Sequence, residues 1–353
     1  MSPKGPTGKV QTVLGEVEPG SLGITLTHEH LLIDLRVYFQ MPEEASERWL
    51  VDQPVTMELL GKLRSRFYTN KQNLQLLDER FAIEEVLKYR YAGGNSLVDT
   101  TSIGIARDPL ALARISRATG LNVIMGASHY VPEAHPADMD ERSEESITHN
   151  IIEDVTVGVN GTGVKSGVIG EVGNHTPLTE NMRKVLRASA QAQVETGAPI
   201  PIHPGIHPDT PLEIIKVLTD AGAKAKNVIM GHLDNIRPMS AIKELADTGC
   251  YLEYDRFGSE DTSGVFRSGD IETTSVSDVQ RMDSIEYLMS EGYGERITIA
   301  HDVCLKVDNT AYGGKGYAHI LESIVGRMRN RGFSQQQLDN ILIHNPARAL
   351  TFA

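Results

Sequence analysis

The chain has little of several features that mark other classes of protein. Only two of its 353 residues are cysteine, which argues against a disulfide framework and favours a reducing compartment such as the cytosol. No apolar run approaches the roughly 18 residues of a membrane helix, and the first residues lack the apolar core of a signal peptide. Basic residues are outnumbered 34 to 47 by acidic ones, and the net charge of −13 argues against binding to nucleic acid or an anionic membrane.

The chain does have a repeated alternation of short apolar runs with amphipathic helices. One run ends at His30, and seven others span residues 96–101, 122–127, 167–172, 199–203, 227–232, 251–254 and 297–301. Near-continuous apolar strands joined by crossover helices predict a parallel sheet that is buried on both faces. Eight such units predict one α/β domain over residues 1–353, a (β/α)8 TIM barrel. A doubly wound open sheet is the alternative, ranked lower because no Gly-x-Gly-x-x-Gly sequence opens a helix.

Several segments flank this alternation. Residues 1–22 predict an N-terminal hairpin, because residues 9–17 alternate apolar and polar before a Pro-Gly turn. Residues 41–71 are irregular and longer than an ordinary strand-to-helix loop, which predicts a lid or a small helical insertion. Apolar periodicity predicts a helix over residues 74–91, and closing helices are predicted at 316–329 and 334–342.

Polar residues close five of the eight runs. They are His28 and His30 at the first run, Glu171 at the fourth, His203 at the fifth, His232 at the sixth and Asp302 at the eighth. Active sites of such barrels lie at the carboxyl ends of the strands, so these side chains are expected to converge. Each one alone could be a hydrogen-bonded core residue or a cap. Together they predict a site for two divalent metal ions that share a bridging carboxylate and a hydroxide.

Nine short motifs resemble those of the phosphotriesterase family in the amidohydrolase superfamily, and of its phosphotriesterase-related branch in particular. They are GKVQTVLG at residues 8–15, LTHEHL at 26–31, VIGEVG at 168–173, IHPG at 202–205, GHLD at 231–234, YLEYD at 251–255, AHD at 300–302, YGGKGY at 312–317 and NP at 345–346. The motifs are specific, and the resemblance extends over nearly the whole chain.

The resemblance implies a two-metal hydrolase, usually a zinc enzyme. By position, it assigns His28, His30 and Asp302 to the more buried metal, His203 and His232 to the more exposed one, and Glu171 to the bridge. Phosphotriesterases proper have a carboxylated lysine as the bridge, so Glu171 points to the related branch. The implied reaction is hydrolysis of N-acetyltaurine, or of a related N-acyl amino acid, to the free amine and acetate. Asp302 is then expected to orient the hydroxide and to carry its proton to the leaving amine.

An anionic substrate needs a cation or hydrogen-bond donors in the pocket. Tyr130, Arg256 and Lys306 follow strands and are the candidates, although the two charged side chains could equally be solvated loop residues. His129 and His301 are expected to support the ligands rather than to bind metal. The remaining histidines are expected at the surface or in loops, and they are His135, His149, His175, His207, His319 and His344.

Two other functions stay open at this point. The first is a lactonase or phosphotriesterase of the same family, which would have the same metal site and a different pocket. The second is a barrel that binds metal without catalysing a reaction. Barrel hydrolases often form homodimers, but no stripe of residues in this sequence indicates an interface.

Overall fold

Eight parallel strands in the described part of the chain surround one core. The computed structural model describes residues 5–260, 265–268 and 271–353. In chain order the eight strands are Thr25–Glu29, Ser96–Asp99, Asn122–Met125, Val172–Gly173, Ile200–His203, Val228–Met230, Tyr251–Tyr254 and Ile297–Ile299. Their apolar side chains are almost fully buried, as a sheet covered on both faces requires.

The strands follow one another around a closed ring. The first three pair in sequence, and the fourth to the eighth pair in sequence. A single bridge between Gly126 and Val168 joins the third strand to the segment that leads into the fourth. The Asp302 amide donates to the His28 carbonyl at 3.2 Å, which links the end of the eighth strand to the first. The predicted barrel is therefore confirmed, and the open doubly wound sheet is discarded.

Helices connect successive strands and cover the outside of the ring. They span Glu79–Tyr91, Pro109–Thr119, Glu144–Thr156, Glu180–Thr196, Thr210–Asp220, Met239–Asp247 and Asp278–Ser290. Local sequence sets several of their ends. The Asp78, Asp108 and Thr179 side chains each accept an N–H of the first helical turn, and Gly197 ends its helix with a φ of 79°.

Several element boundaries differ from those predicted. The helix expected over residues 74–91 begins at Glu79, because Asp78 caps it and Gln75–Leu76 pairs with Ile33–Asp34 instead. The fourth strand is only Val172–Gly173, although its apolar approach is buried as expected. The closing helix expected from residue 316 begins after Gly316, whose φ of 62° is not helical.

The C-terminal helices contain two wide turns. The π-helical segment Ile320–Ile324 runs into the α-helix Val325–Asn330, and the π-helical segment Asn340–His344 separates the α-helices Gln335–Asp339 and Asn345–Leu350. A uniform periodicity cannot reveal such turns, because each one shifts the phase of the apolar face. The last two of these elements, Asn340–His344 and Asn345–Leu350, pack against the first and eighth strands.

The flanking segments form small structures of their own. Near the N-terminus, Val10–Thr12 pairs antiparallel with Gly15–Val17, and a second hairpin joins Val265–Ser268 to Ile271–Thr274. Residues 41–71 fold into short helical turns, which are Ala45–Leu50, Met57–Leu59, Leu60–Ser65 and Phe67–Thr69. Among the described residues, no helix has the length and apolar character needed to cross a bilayer.

Candidate metal centre

The six predicted ligands meet at the carboxyl ends of the strands. Glu171 is central and buried: its Oε2 lies 3.3 Å from His28 Nε2, and its Oε1 lies 3.4 Å from His30 Nε2. The same Oε2 lies 3.4 Å from His203 Nδ1 and 3.4 Å from His232 Nε2. One carboxylate thus faces four imidazoles from both of its oxygens, which is the geometry a bridging ligand needs.

The donor atoms fall into two overlapping groups. In each group, three residues bring one donor atom each within 4.8 Å of one another. The first group is His28, His30 and Asp302, and the second is Glu171, His203 and His232. Asp302 Oδ1 lies 3.3 Å from His30 Nε2, and the facing nitrogens of His203 and His232 are 2.8 Å apart. Imidazole nitrogens and carboxylate oxygens in such groups are typical ligands of divalent transition metals.

Two buried atoms at the centre test whether metal ions fit. His28 Nε2 and Glu171 Oε2 have no hydrogen-bond partner among the described residues, although both are completely buried. A buried polar atom without a partner costs free energy, so such atoms usually face a water, an ion or a ligand. Because they point at the same space as the other donors, the residues present fit a pair of divalent ions.

Further polar side chains contact the predicted ligand rings at Nδ1, on the side that faces away from the centre. His28 Nδ1 lies 3.1 Å from Glu253 Oε2, His30 Nδ1 lies 2.8 Å from Thr101 Oγ1, and His232 Nδ1 lies 2.9 Å from Asp255 Oδ1. In each ring this leaves Nε2 for the centre, because the partner on Nδ1 fixes the tautomer and the orientation. Asp255 also forms a third cluster with His28 and His232, but it meets both rings at Nδ1 and thus lies outside the centre.

Sequence reasoning did not identify these supporting residues. Glu253 and Asp255 lie in the YLEYD motif, the first on the seventh strand and the second directly after it, and their period-two spacing points both carboxylates to one face. This spacing in the sequence could therefore have identified both residues as candidates for supporting the ligands. Thr101, by contrast, is one of several hydroxyl residues after the second strand, and only the folded structure distinguishes it.

Two of the predicted ligands have a left-handed backbone. His232 has a φ of 56° and Asp302 has a φ of 51°. Residues other than glycine rarely adopt this conformation, because Cβ then approaches the following carbonyl group. It turns each side chain back over the end of its strand, which is where the other donor atoms lie.

Charges in the cluster shift the pKa values of the ligand imidazoles. Burial by itself lowers the pKa of His30, but the Asp302 and Glu171 carboxylates outweigh it and raise the pKa to about 9. Burial likewise lowers the pKa of His232, but the Asp255 carboxylate outweighs it and raises the pKa of this imidazole to about 10. The pKa of Asp302 lies below its usual range, since Arg256 and the His30 hydrogen bond outweigh burial. In the absence of metal, both imidazoles therefore carry protons at neutral pH.

Metal affinity is expected to fall as the pH falls. An imidazole must be neutral to bind a metal ion, so binding has to displace the protons held by His30 and His232. With pKa values of about 9 and about 10, these protons are present throughout the range from pH 6 to 8, and each one displaced makes affinity rise with pH. Competition with a chelator at several pH values measures this slope, and calorimetry in two buffers counts the protons released. An affinity that does not change with pH would contradict the protonation states assigned here.

A cavity of about 760 Å³ opens above the cluster. His30, His203, His232 and Asp302 form its floor, and Tyr38, Tyr68 and Tyr130 stand in its walls. The Tyr130 hydroxyl lies 3.4 Å from His203 Nδ1 and accepts from the Tyr38 hydroxyl at 3.3 Å. Part of the wall comes from residues 65–69, so the insertion borders the site.

Of the three predicted substrate contacts, two reach this cavity. Tyr130 and Arg256 line it, and the Arg256 guanidinium donates to Asp302 Oδ2 at 2.5 Å. Lys306 is not among the described residues that line it; its amide donates to the Asn73 carbonyl in the short helical turn Lys306–Asp308. The distance of Lys306 from Asp302 along the chain was a poor guide, because the backbone turns away after the strand.

One histidine is placed differently from the prediction. His319 was expected in a loop or at the surface, but it is buried, and its Nε2 lies 2.8 Å from Asp278 Oδ2. Asp278 also accepts from the buried Arg281 at 3.0 Å. His175 lines the cavity wall. His301 packs against Glu29, whose carboxylate also accepts the amides of His301 and Val303 and so fixes the backbone on both sides of Asp302.

Comparison with known proteins gives a consistent result. A model of the phosphotriesterase family matches residues 8–350. An N-acetyltaurine hydrolase of Tetraodon nigroviridis is 42% identical over 348 residues, which cover 98% of this chain and 99% of that protein. A phosphotriesterase-related protein of Nematostella vectensis is 43% identical over 350 residues, with the same coverage of 98% and 99%. The crystal structure of a resiniferatoxin-binding protein from Rhodobacter sphaeroides is 33% identical, with a TM-score of 0.93 over 99% of this chain and 98% of that one.

The barrel and the cluster of ligands at its strand ends define a metal-dependent hydrolase that has a binuclear divalent metal site and acts on a small molecule. The chain belongs to the phosphotriesterase family, as the sequence motifs implied.

Proposed function

We propose that this protein hydrolyses N-acetyltaurine, or a closely related N-acyl amino acid, to the free amine and acetate. The observation that carries the proposal is the near-complete alignment with N-acetyltaurine hydrolases, which share 42% of their residues with this chain. A buried glutamate at the centre of the cluster also fits the related branch of the family rather than the phosphotriesterases proper, which use a modified lysine.

We assign the metal ligands by their grouping in space. His28, His30 and Asp302 would hold the more buried ion, His203 and His232 the more exposed ion, and Glu171 would bridge the two. Exposure supports this order, since the side chains of His28 and His30 are 0% and 2% exposed and those of His203 and His232 are 19% and 11% exposed. Zinc is the metal we propose, because a site of imidazoles and carboxylates suits it. When bound, the ions would lower the pKa of a water molecule toward neutrality and polarise the amide carbonyl.

Asp302 is the residue we propose for proton transfer. Arg256 holds one of its oxygens, so the carboxylate has a fixed orientation, and its lowered pKa keeps it ionised and ready to accept a proton from the attacking water. The same low pKa makes Asp302 release that proton readily to the leaving amine nitrogen, which is far more basic. Arg256 cannot relay the proton onward, because a guanidinium does not lose its own proton in proteins.

Tyr130 is the residue we propose as a donor to the reacting carbonyl. Burial holds the pKa of Tyr130 well above its usual range, so its hydroxyl keeps its proton. Its position beside His203 puts that proton at the edge of the cluster where the more exposed ion would bind. A hydrogen bond to an oxygen that gains negative charge in the transition state stabilises that state more than the ground state.

A substrate panel tests the proposed function. Zinc-loaded protein and a chelated control would be assayed with N-acetyltaurine, several N-acetyl amino acids, paraoxon and a lactone, with detection of free amine, nitrophenol or hydroxy acid. Metal-dependent release of amine alone is the expected result. Cleavage of the ester or the lactone instead would keep the hydrolase and overturn the substrate. Bound metal without cleavage of any of these compounds would point to the binding protein.

Three further assignments are proposals of the same kind. We propose the cytosol as the location, because cysteine is scarce. We also propose that residues 1–353 form one domain and that residues 41–71 act as a lid over its site. Fractionation of cells tests the first, and limited proteolysis with and without substrate tests the lid. The homodimer stays a prediction that sedimentation can decide.

A further inference from the structure

We propose that a small side cavity next to Asp302 binds the anionic end of the substrate, and that Lys315 is the residue that selects for it. This inference rests on the proposed function, since it concerns how the same site recognises a sulfonate or carboxylate. The cavity has a volume of about 50 Å³, and it shares Arg256, Asp302, Tyr68, Phe67 and Cys304 with the main cavity. The two spaces are therefore neighbours separated only by these side chains.

Positive charge distinguishes the side cavity from the main one. Arg64, Arg256 and Lys315 all line it, whereas Arg256 and Arg66 line the main cavity and Arg66 forms an ion pair with Glu47. The two carboxylates of the side cavity already have partners. Asp302 accepts from Arg256, and Asp308 accepts the amides of Leu305 at 2.9 Å and Cys304 at 3.3 Å. Arg64 and Arg256 have partners of their own, whereas Lys315 forms no ion pair among the described residues, so its side chain adds the positive charge that an anion site requires.

The glycine-rich YGGKGY motif brings Lys315 to this place. Gly313 has a φ of 76°, and a Cβ on Gly314 would lie 2.1 Å from the Asp308 carbonyl group, so the loop folds back tightly on itself only with glycine there. The Arg64 guanidinium donates to the Gly313 carbonyl, which ties the loop to the helix Leu60–Ser65. The motif supplies no residue to the described metal cluster, whereas an anion site would account for its lysine.

The size of the cavity suits a small anionic group. A space of this volume has room for roughly three to five water molecules, which is the scale of one sulfonate or carboxylate. Arg256 forms the boundary: one of its nitrogens holds Asp302, and the other lies 3.4 Å from the Ser259 hydroxyl, which also lines the side cavity. An anion bound there would lie beside Asp302, which lines the main cavity as well.

Steady-state kinetics with a charged and a neutral substrate test the assignment. We expect Lys315→Met to lower the ratio of kcat/KM for N-acetyltaurine to kcat/KM for N-acetylethanolamine by about tenfold or more, mainly through KM for the charged compound. Lys315→Arg should restore most of the ratio. Lys306→Met is the matched control, since it removes a lysine from the same loop that does not line either cavity, and it should leave the ratio unchanged.

Binding of ethanesulfonate gives a readout that does not depend on turnover. Calorimetry with metal-loaded and metal-free protein should show weaker binding in Lys315→Met than in Lys306→Met in both states, because the contact is with the side chain and not with the metal. Equal ratios and equal ethanesulfonate affinities in the two variants would overturn the anion site. If the unaltered protein cleaves neither amide, the proposed function fails, while the difference in ethanesulfonate affinity still decides the anion site.

Discussion

Replacing Asp302 with alanine is expected to lower kcat by on the order of 10⁴ or more while the barrel stays folded. The side chain is the only one in the described cluster that faces both a ligand imidazole and a guanidinium, with Oδ1 3.3 Å from His30 and Oδ2 2.5 Å from Arg256. Its loss removes a proposed metal ligand and the proposed proton acceptor at once. Steady-state kinetics together with metal analysis of the purified variant measure the effect.

Asp302→Asn separates the two roles of this residue. Asparagine has nearly the same shape, and its single amide oxygen can face either Arg256 or the metal position, but it cannot accept a proton from water. We expect this variant to stay inactive even when metal analysis finds two ions per chain. A near-normal rate in either variant with both ions bound would show that another group moves the proton.

Replacing Glu171 with glutamine is expected to reduce the bound metal from two ions to about one per chain and to lower kcat by about 10³ or more. The glutamate uses Oε1 toward His30 and Oε2 toward the other three imidazoles, whereas glutamine has one oxygen and no charge. The amide fills nearly the same volume, so the fold should persist. Elemental analysis and activity at saturating metal measure the two effects.

Glu253→Gln is the matched control for this change. Glu253 is also a buried glutamate beside His28, but it lies 3.1 Å from Nδ1, on the side of the ring that faces away from the centre. Loss of such a supporting contact typically reduces metal affinity or activity by about 10- to 100-fold, so two ions should still bind at high metal concentration. If both variants lose one ion to the same extent, Glu171 does not have the special bridging position assigned to it.

The metal cluster could be predicted because of a rule that links sequence to position. In a parallel barrel, the last residues of every strand share one edge, so polar residues that end apolar runs must meet there whatever the loops do. Glu171 ends its apolar run although the regular strand, Val172–Gly173, begins only after it, and the residue still lies at the centre of four histidines.

The walls of the cavity could not be predicted in the same way. Lys306 and Lys315 lie in one loop, and only the tight return at Gly313 and Gly314 decides that Lys315 lines a cavity beside Asp302 and Lys306 does not. The burial of His319 depends on Asp278, which is 41 residues away. Loop conformation of this kind arises from many weak contacts between distant residues, and it leaves no period in the sequence.

The left-handed backbone conformations of His232 and Asp302 are expected to make the stability of the folded protein depend on bound metal. Each such conformation is unfavourable by about 1–2 kcal/mol, and both of these residues are proposed metal ligands. Bound ions offset this cost, because a ligand that binds only the folded state stabilises it. In a cell that is short of metal, the protein is thus expected to unfold and to be degraded sooner, so its abundance as well as its activity would report on metal availability.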